Sequence, residues 1–275
     1  MFLGSVSWRS AFAGVWWAGG CTSPATQRES RAASARGLGW PTRRLAATVA
    51  DTGMAATYTV GIDLGGTNIK GGICAPDGQL VCRQAIDTEA VGGVEHVLSR
   101  MAWLIDELLG GAQLTKADVA GVGVGAPGPM SRAAGVIHSA PNLPAWVNVP
   151  VRERFASLTG LRVVLENDAN AAAFGEYVAG AGRNVHSLVM LTLGTGIGGG
   201  IVVEGKLWRG CFDNAGEVGH IVIDPDGRAC PCGQRGCLER YASANAVAER
   251  LCEAVRAGEA STLRPRVLAN EAFDA

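Results

Sequence analysis

The chain has 275 residues, a formal net charge of −1 and no long block of Lys or Arg. This length allows one large domain or two smaller ones with a full core, and the near-neutral charge argues against a nucleic-acid partner. No apolar run is long enough to span a bilayer, so we expect no membrane association.

Residues 1–53 differ from the rest in holding four of the seven tryptophans and only two acids, Glu29 and Asp51. A secretory or lipoprotein signal with Cys21 as acceptor, an Arg- and Ser-rich transit peptide, and a disordered extension are all conceivable. We favour a disordered extension, or upstream sequence joined to a start at Met54, and exclude the segment from fold prediction.

Strand and helix patterns alternate from Tyr58 onward, which predicts an α/β fold with functional turns at strand ends. The predicted strands are 58–64, 69–74, 79–86, 119–124, 163–165, 187–193 and 201–203. The predicted helices are the periodic stretch 94–108 and the alanine-rich stretch 169–178. We predict an N-terminal lobe over 54–178 and a C-terminal lobe over 179–275.

The first motif is a glycine turn that follows an acid at the end of a strand, Asp63-Leu64-Gly65-Gly66-Thr67. Glycines let backbone N–H groups approach phosphate oxygens, and the carboxylate can hold Mg²⁺ directly or through water. The motif lacks the GKS or GKT ending of a Walker loop. A plain hairpin turn is the alternative.

The second motif is the glycine run 194–200. A dinucleotide-binding loop would need a helix after the glycines, whereas residues 201–203 are typical of a strand. We therefore predict a strand–turn–strand, which is suited to gripping terminal phosphates, with a tight hairpin as the alternative.

The third motif, Glu166-Asn167-Asp168-Ala169-Asn170, lies where a strand leads into a helix. Asp168 is the candidate general base for a sugar hydroxyl, and Asn167 the candidate ligand of another hydroxyl. The alternative is that the carboxylate only caps the helix.

The fourth motif combines His220 with Cys230, Cys232 and Cys237. One imidazole and three thiolates form a closed tetrahedral donor set for a structural Zn²⁺, with no position left for a reactive water. Clustered cysteines favour a metal and a reducing compartment, hence a cytoplasmic protein. A disulfide, or free core cysteines, is the alternative.

Together and in this order, the four motifs resemble the ROK family of repressors, uncharacterised reading frames and sugar kinases. The resemblance runs from about Thr59 to about Ala246 and is strongest in Gly216–His220 and the CPCGQRGCLE segment. Residues 142–146, NLPAW, are similar to the family's NLPGW segment with alanine in place of glycine.

The resemblance implies a two-lobed fold like that of actin and hexokinase (ribonuclease H-like), with ATP as donor and Mg²⁺ as counterion. It implies that Asp168 is the base and that the hexose is bound by Asn142, Asn167, Glu217, His220 and Glu239. It also implies that Asp63, Gly65, Gly66 and Thr67, with Gly194, Thr195 and Gly196, face the nucleotide.

Residues 224–227 and 241–244 most resemble bacterial glucokinases, so glucose is the expected hexose. An N-acetylglucosamine or N-acetylmannosamine kinase, a non-catalytic sugar-binding protein and a repressor remain alternatives. Family members continue beyond the position of Ala275, so we expect the C-terminal lobe to be incomplete here. Relatives are often dimers or tetramers, and we expect a homodimer or homotetramer from a complete chain.

Overall fold

The computed structural model describes residues 58–140 and 142–271, and the predictions for residues 1–53 lie outside this range. The strands are β1 (Tyr58–Leu64), β2 (Asn68–Cys74), β3 (Leu80–Asp87), β4 (Val119–Ala126), β5 (Met130–Ser131), β6 (Val136–Ser139), β7 (Val147–Val149), β8 (Val163–Asn167), β9 (Leu188–Leu193), β10 (Ile197–Val203) and β11 (Lys206–Leu207). The helices are α1 (Gly93–Gly111), α2 (Val151–Thr159), α3 (Asp168–Ala179), α4 (Glu239–Ala242), α5 (Ala244–Arg256) and α6 (Arg264–Leu268).

A five-stranded mixed sheet with the order β3-β2-β1-β4-β8 forms the N-terminal part. Strands β1, β4 and β8 are parallel, whereas β2 and β3 pair antiparallel beside β1. The carboxyl ends of β1, β4 and β8 therefore meet at one edge, which is where parallel sheets place their ligands.

Helix α1 covers this sheet with the apolar stripe that its sequence period predicts. Its buried side chains are Val97, Leu98, Met101, Leu104, Ile105, Leu108 and Leu109. They join the sheet residues in one continuous hydrophobic core, which also takes in Phe155 of α2 and Trp146. This core fixes the sheet edge in place.

Two elements of this part are absent from the predictions. A small sheet, β5-β6-β7, and the short helix α2 lie between β4 and β8. Strands β5 and β6 contain two and four residues, too few for an alternation pattern to stand out in sequence.

A three-stranded antiparallel sheet with the order β11-β10-β9 follows α3. The predicted turn over residues 194–200 is wrong in its second half, because β10 already begins at Ile197. A side chain at Gly199 would collide with Gly216 and Val218, and one at Gly200 with α3. These glycines therefore let two segments pack tightly on β10.

Among the described residues, no helix combines the length and apolarity that crossing a membrane requires. Helix α3 ends at Ala179, next to the predicted boundary between the lobes, and the boundary itself stays a prediction.

Candidate active site and metal centre

The carboxylates of Asp63, Asp168 and Glu217 converge where the parallel strands end. Asp63 of β1 is paired with Gly125 of β4, and Gly125 is paired with Glu166 of β8. Asp168 follows as the first residue of α3, with its Cα next to Gly125. The third carboxylate, Glu217, comes from the segment packed on β10 and is close enough to act on Asp168 electrostatically.

Asp168 carries the most perturbed carboxyl group of this edge. Asp168 is exposed to solvent, yet the protein packed around its carboxylate displaces much of the hydration of that group. This desolvation, together with the charges of Asp63 and Glu217, raises the pKa of Asp168 to about 6. Burial also raises the pKa of Asp63, against the attraction of Lys70. An acid poised near neutrality suits a general base.

Asn167 is the N-cap of α3, and Oδ1 of Asp168 accepts the N–H of Ala169 at 2.8 Å. The Oδ1 atom of Asn167 accepts the N–H of Asn170 at 3.0 Å, and its amide donates to Oδ1 of Asp168 at 3.0 Å. The second carboxylate oxygen of Asp168 accepts no hydrogen bond from the described residues, so it can receive a ligand's proton.

The first glycine turn is held by hydrogen bonds from Thr88, a buried residue that the sequence analysis does not identify. Its hydroxyl donates to the carbonyl of Gly65 at 2.7 Å, and its N–H to the carbonyl of Thr67 at 2.8 Å. The N–H of Gly65 is used within the turn, where it donates to Asn68. The N–H groups of Gly66 and Thr67 have no acceptor among the described residues and are the donors available to a phosphate.

The segment that carries Asn142 lies directly against this turn. A Cβ atom on Gly66 would be 2.5 Å from Cβ of Asn142, so only glycine fits there. Asn142 itself is exposed, and Trp146 anchors the segment in the core. Ala145 has φ 65°, a left-handed conformation that explains why glycine is the usual residue in the resembling motif.

The second glycine turn is joined to Glu239 of α4. Its Oε2 atom accepts the N–H of Ile197 at 2.8 Å, and the carbonyl of Gly194 accepts the N–H of Ala244 at 2.9 Å. The N–H of Gly194 donates within the turn to Gly196, which leaves Thr195 and Gly196 as the available donors in the described structure. Glu239 thus keeps one oxygen, Oε1, for a further ligand.

The four predicted metal ligands come together in one cluster. Their donor atoms, from His220, Cys230, Cys232 and Cys237, all lie within 4.8 Å of one another. The Sγ atoms of Cys232 and Cys237 are 3.7 Å apart, and Nδ1 of His220 is 3.7 Å from Sγ of Cys230. The sulfur separation is far too long for a disulfide.

These distances fit a tetrahedral metal. Two sulfurs bound to zinc at about 2.3 Å in tetrahedral geometry are about 3.8 Å apart. Burial and the adjacent thiols raise the pKa of Cys237 to about 12, so a cation is needed to keep this thiol ionised. Because Nδ1 of His220 points at the cluster, Nε2 lies at the other end of the ring and is available to a second ligand.

A family model supports the resemblance drawn from the motifs. The ROK family model matches residues 59–272, most of the chain. The chain belongs to the ROK family.

Relatives within the ROK family include both enzymes and regulators. The chain is 44% identical over 194 residues to a glucokinase from Thermotoga maritima, covering 70% of the chain and 60% of the relative. It is 35% identical to a xylose repressor from Caldicellulosiruptor bescii, covering 72% of the chain and 50% of the relative.

A solved structure of a ROK family glucokinase from Streptomyces griseus, in complex with glucose and AMPPNP, is also similar. The TM-score is 0.64 at 37% identity, and the match covers 73% of this chain and 62% of the other. The predicted actin- and hexokinase-like α/β fold is thereby confirmed. The chain spans about 60% of the length of the glucokinase relative from T. maritima.

Proposed function

We propose that this protein transfers the γ-phosphoryl group of ATP to a hexose, with glucose as the substrate and glucose 6-phosphate as the product. The supporting observation is the Asp168 carboxylate, with its pKa raised to about 6 by burial and by the charges of Asp63 and Glu217, at the carboxyl ends of the parallel strands. The similarity to glucokinases supports the same reaction.

In the proposed mechanism Asp168 accepts the proton of the sugar 6-hydroxyl as that oxygen attacks the γ-phosphorus. The bond between this phosphorus and the bridging oxygen breaks, and ADP leaves with the electron pair. Asn142, Asn167, Glu217, Glu239 and Nε2 of His220 would hold the other hydroxyls. Their role is to bring the 6-hydroxyl to Asp168 and exclude water.

The glycine turns would face the nucleotide. The N–H groups of Gly66, Thr67, Thr195 and Gly196 are the candidate phosphate donors. Asp63 would hold Mg²⁺ directly or through water, and the ion would supply charge neutralisation for the phosphates. Zn²⁺ in the cysteine cluster would be structural, since all four of its positions are taken by the protein.

A coupled assay with ATP, Mg²⁺ and a panel of hexoses tests this proposal. We expect the highest kcat/KM with glucose, ahead of mannose, N-acetylglucosamine and N-acetylmannosamine. A preference for an N-acetylhexosamine would assign the chain to the alternative kinases, and no turnover with any hexose would contradict the proposal.

A non-catalytic sugar-binding protein is the second candidate, favoured by the similarity to a xylose repressor. It predicts that a sugar raises the melting temperature while ATP has no effect and no product forms. Retention of Asp168 favours the enzyme, because a sensor needs no base. A DNA-binding repressor would in addition shift an operator fragment in a gel.

The remaining proposals concern the protein as a whole. We propose lobes over 54–178 and 179–275 with the site between them, a reducing compartment such as the cytoplasm, and a homodimer or homotetramer as the assembly. Sedimentation of the purified chain measures the last of these directly.

A further inference from the structure

Glu166 is a buried carboxylate that the proposed reaction does not use. It is only 5% exposed and immediately precedes Asn167 and Asp168 at the end of β8. A buried carboxylate is costly unless it is paired. Its Oε2 atom accepts hydrogen bonds from both Nε and Nη2 of Arg209, at 2.8 and 2.7 Å, and lies 3.4 Å from Nε of Arg132.

The other oxygen of this carboxylate faces the segment that carries the candidate base. Oε1 of Glu166 accepts the N–H of Asn167 at 3.2 Å and lies 3.5 Å from the amide nitrogen of Asn170. The carboxylate therefore contacts residues on both sides of Asp168, and the first turn of α3 is oriented by it.

Arg209 belongs to the loop that leads to Glu217. Its carbonyl accepts the N–H of Ala215 at 3.0 Å, which closes the loop 209–215 just before Gly216 and Glu217. The contact between the Arg209 guanidinium and Glu166 therefore ties this loop to the end of β8.

Arg132 extends the same connection to the Asn142 segment. Arg132 follows β5, and β6 and β7 of the same small sheet come before and after the segment 142–146 along the chain. Its backbone N–H donates to Oδ2 of Asp213 in the loop 209–215 at 3.0 Å, while its side chain faces Glu166.

We propose that Glu166, Arg209 and Arg132 form a positioning hub that holds the segments of Asp168, Glu217 and Asn142 in one mutual arrangement. The hub joins three stretches of chain that are far apart in sequence and that each end at a candidate sugar contact. The inference rests on the proposed function, because that function gives these three residues their roles. None of the hub residues touches the sugar in this proposal, so they act through the segments they hold.

Amide hydrogen exchange on the intact chain tests the hub without any assay of activity. In Arg209→Met we expect exchange of residues 210–217 and 167–170 to rise by about tenfold or more, because local opening loses its main restraint. Arg154→Met, which breaks the ion pair between Arg154 of α2 and Glu95 of α1, is the control and should leave both segments unchanged. Unchanged exchange in Arg209→Met would overturn the hub.

Steady-state kinetics test how the hub affects the proposed phosphoryl transfer. Misplacement of reacting groups by about 1 Å costs about 100-fold in rate, so we expect kcat to fall about 10- to 100-fold in Arg209→Met. Arg209→Lys keeps the positive charge but loses the two-pronged contact, and an intermediate kcat is expected.

A double variant separates positioning from stability. Glu166→Gln with Arg209→Met removes the buried charge that has lost Arg209 and keeps only the contact with Arg132, so the melting temperature of the double variant should recover toward wild type. Its kcat should stay as low as that of Arg209→Met. Recovery of kcat together with stability would show a structural role only and would overturn the inference.

The exchange and kinetic experiments together also distinguish a failure of this inference from a failure of the proposed function. If the wild-type chain phosphorylates no hexose, the proposed function fails, whereas the exchange experiment still decides whether the hub holds the three segments.

Discussion

Among single residues, Asp168 is distinguished by surroundings that raise the pKa of its carboxyl group and make its ionised form less stable in the folded protein. As a base it must be ionised, so we expect kcat/KM to fall about tenfold per pH unit below a pH of about 6. Asp168→Asn should lower kcat by about 100- to 10,000-fold while zinc content and glucose binding persist. A variant with near wild-type turnover would contradict the assigned role.

The same pKa shift predicts an effect on stability with a definite sign. Folding raises the pKa of Asp168 from 3.8 to about 6, so the folded state favours the protonated form. Its contribution to stability is full below pH 3.8 and is lost as pH rises through about 6. Asp168→Asn should therefore raise the melting temperature at pH 8, with a gain that shrinks toward pH 4. A gain independent of pH would argue against this origin.

Ala145 provides a second residue-level prediction. Its φ of 65° is left-handed, which costs about 1–2 kcal/mol for a residue with a Cβ. Glycine removes this cost but loses about 0.4–1 kcal/mol through the entropy of the unfolded chain, so Ala145→Gly should stabilise by about 0.5–1 kcal/mol. Urea unfolding measures the difference.

Asn184, at φ 73°, is the matched control for that substitution. Asparagine tolerates the left-handed region, so Asn184→Gly should change stability little. Equal gains at both positions would show that the backbone strain is not specific to Ala145.

The sequence singled out the charged residues and the candidate metal ligands more readily than the residues that hold them in place. His220 and the three cysteines could be grouped by spacing, because closely spaced ligands in a turn-rich loop converge on one ion. Thr88 and Arg209 have no such signal. Each contacts a partner distant along the chain, and only the fold brings the two together.

At the scale of elements, the strand–turn–strand that starts the fold depends on Thr88. Thr88→Val keeps the shape but leaves the carbonyl of Gly65 without its donor, at a cost of about 1–3 kcal/mol. We expect lower stability in urea and a higher KM for ATP, since Gly66 and Thr67 lose their support. Thr88→Ser retains the hydroxyl and should stay near wild type in both measurements.

The loop 220–237 is the element that we expect to depend on a metal. We expect one zinc per chain by elemental analysis, and Cys232→Ser should lose the metal and destabilise the loop. Glucose affinity should then fall about tenfold, since 1.4 kcal/mol of lost sugar contacts corresponds to that factor. Cys252→Ser, on α5 and outside the cluster, should retain both properties. Full glucose affinity without zinc would contradict this role.

Helices and strands were predicted correctly where they are long enough to show their hydrophobic period. The prediction was wrong where packing against other segments decides the conformation. Strands β1 and β4 and helices α1 and α3 carry enough residues to reveal their period. The run Gly198–Gly200 was assigned to a turn because glycine disfavours strands. Packing of α3 and of residues 216–218 against β10 overrides that preference.

At the scale of the whole molecule, one face of the second sheet exposes apolar side chains along an edge strand. Val189 is 64% exposed and Leu193 59%, with Leu191 between them on the same face of β9. Edge strands of this kind promote association. We expect concentration-dependent self-association in sedimentation experiments.

Val189→Lys should weaken this association by placing a charge in the contact. Val91 is 94% exposed in the first part of the fold, so Val91→Lys is the matched control and should associate like wild type. Equal association of all three chains would exclude the β9 face as the contact.

The single hydrogen bond between Glu239 and the N–H of Ile197 has a thermodynamic consequence. Glu239 follows Cys237 by two residues, and Ile197 closes the second glycine turn, so the proposed metal cluster is linked through this carboxylate to the turn that we propose faces the phosphates. We expect any change in metal occupancy that moves Glu239 to change the affinity for the proposed phosphoryl donor. By reciprocity the donor changes the affinity for the metal by the same factor. Zinc titrations with and without nucleotide would then give two different dissociation constants, and zinc supply would set how well the protein competes for its donor.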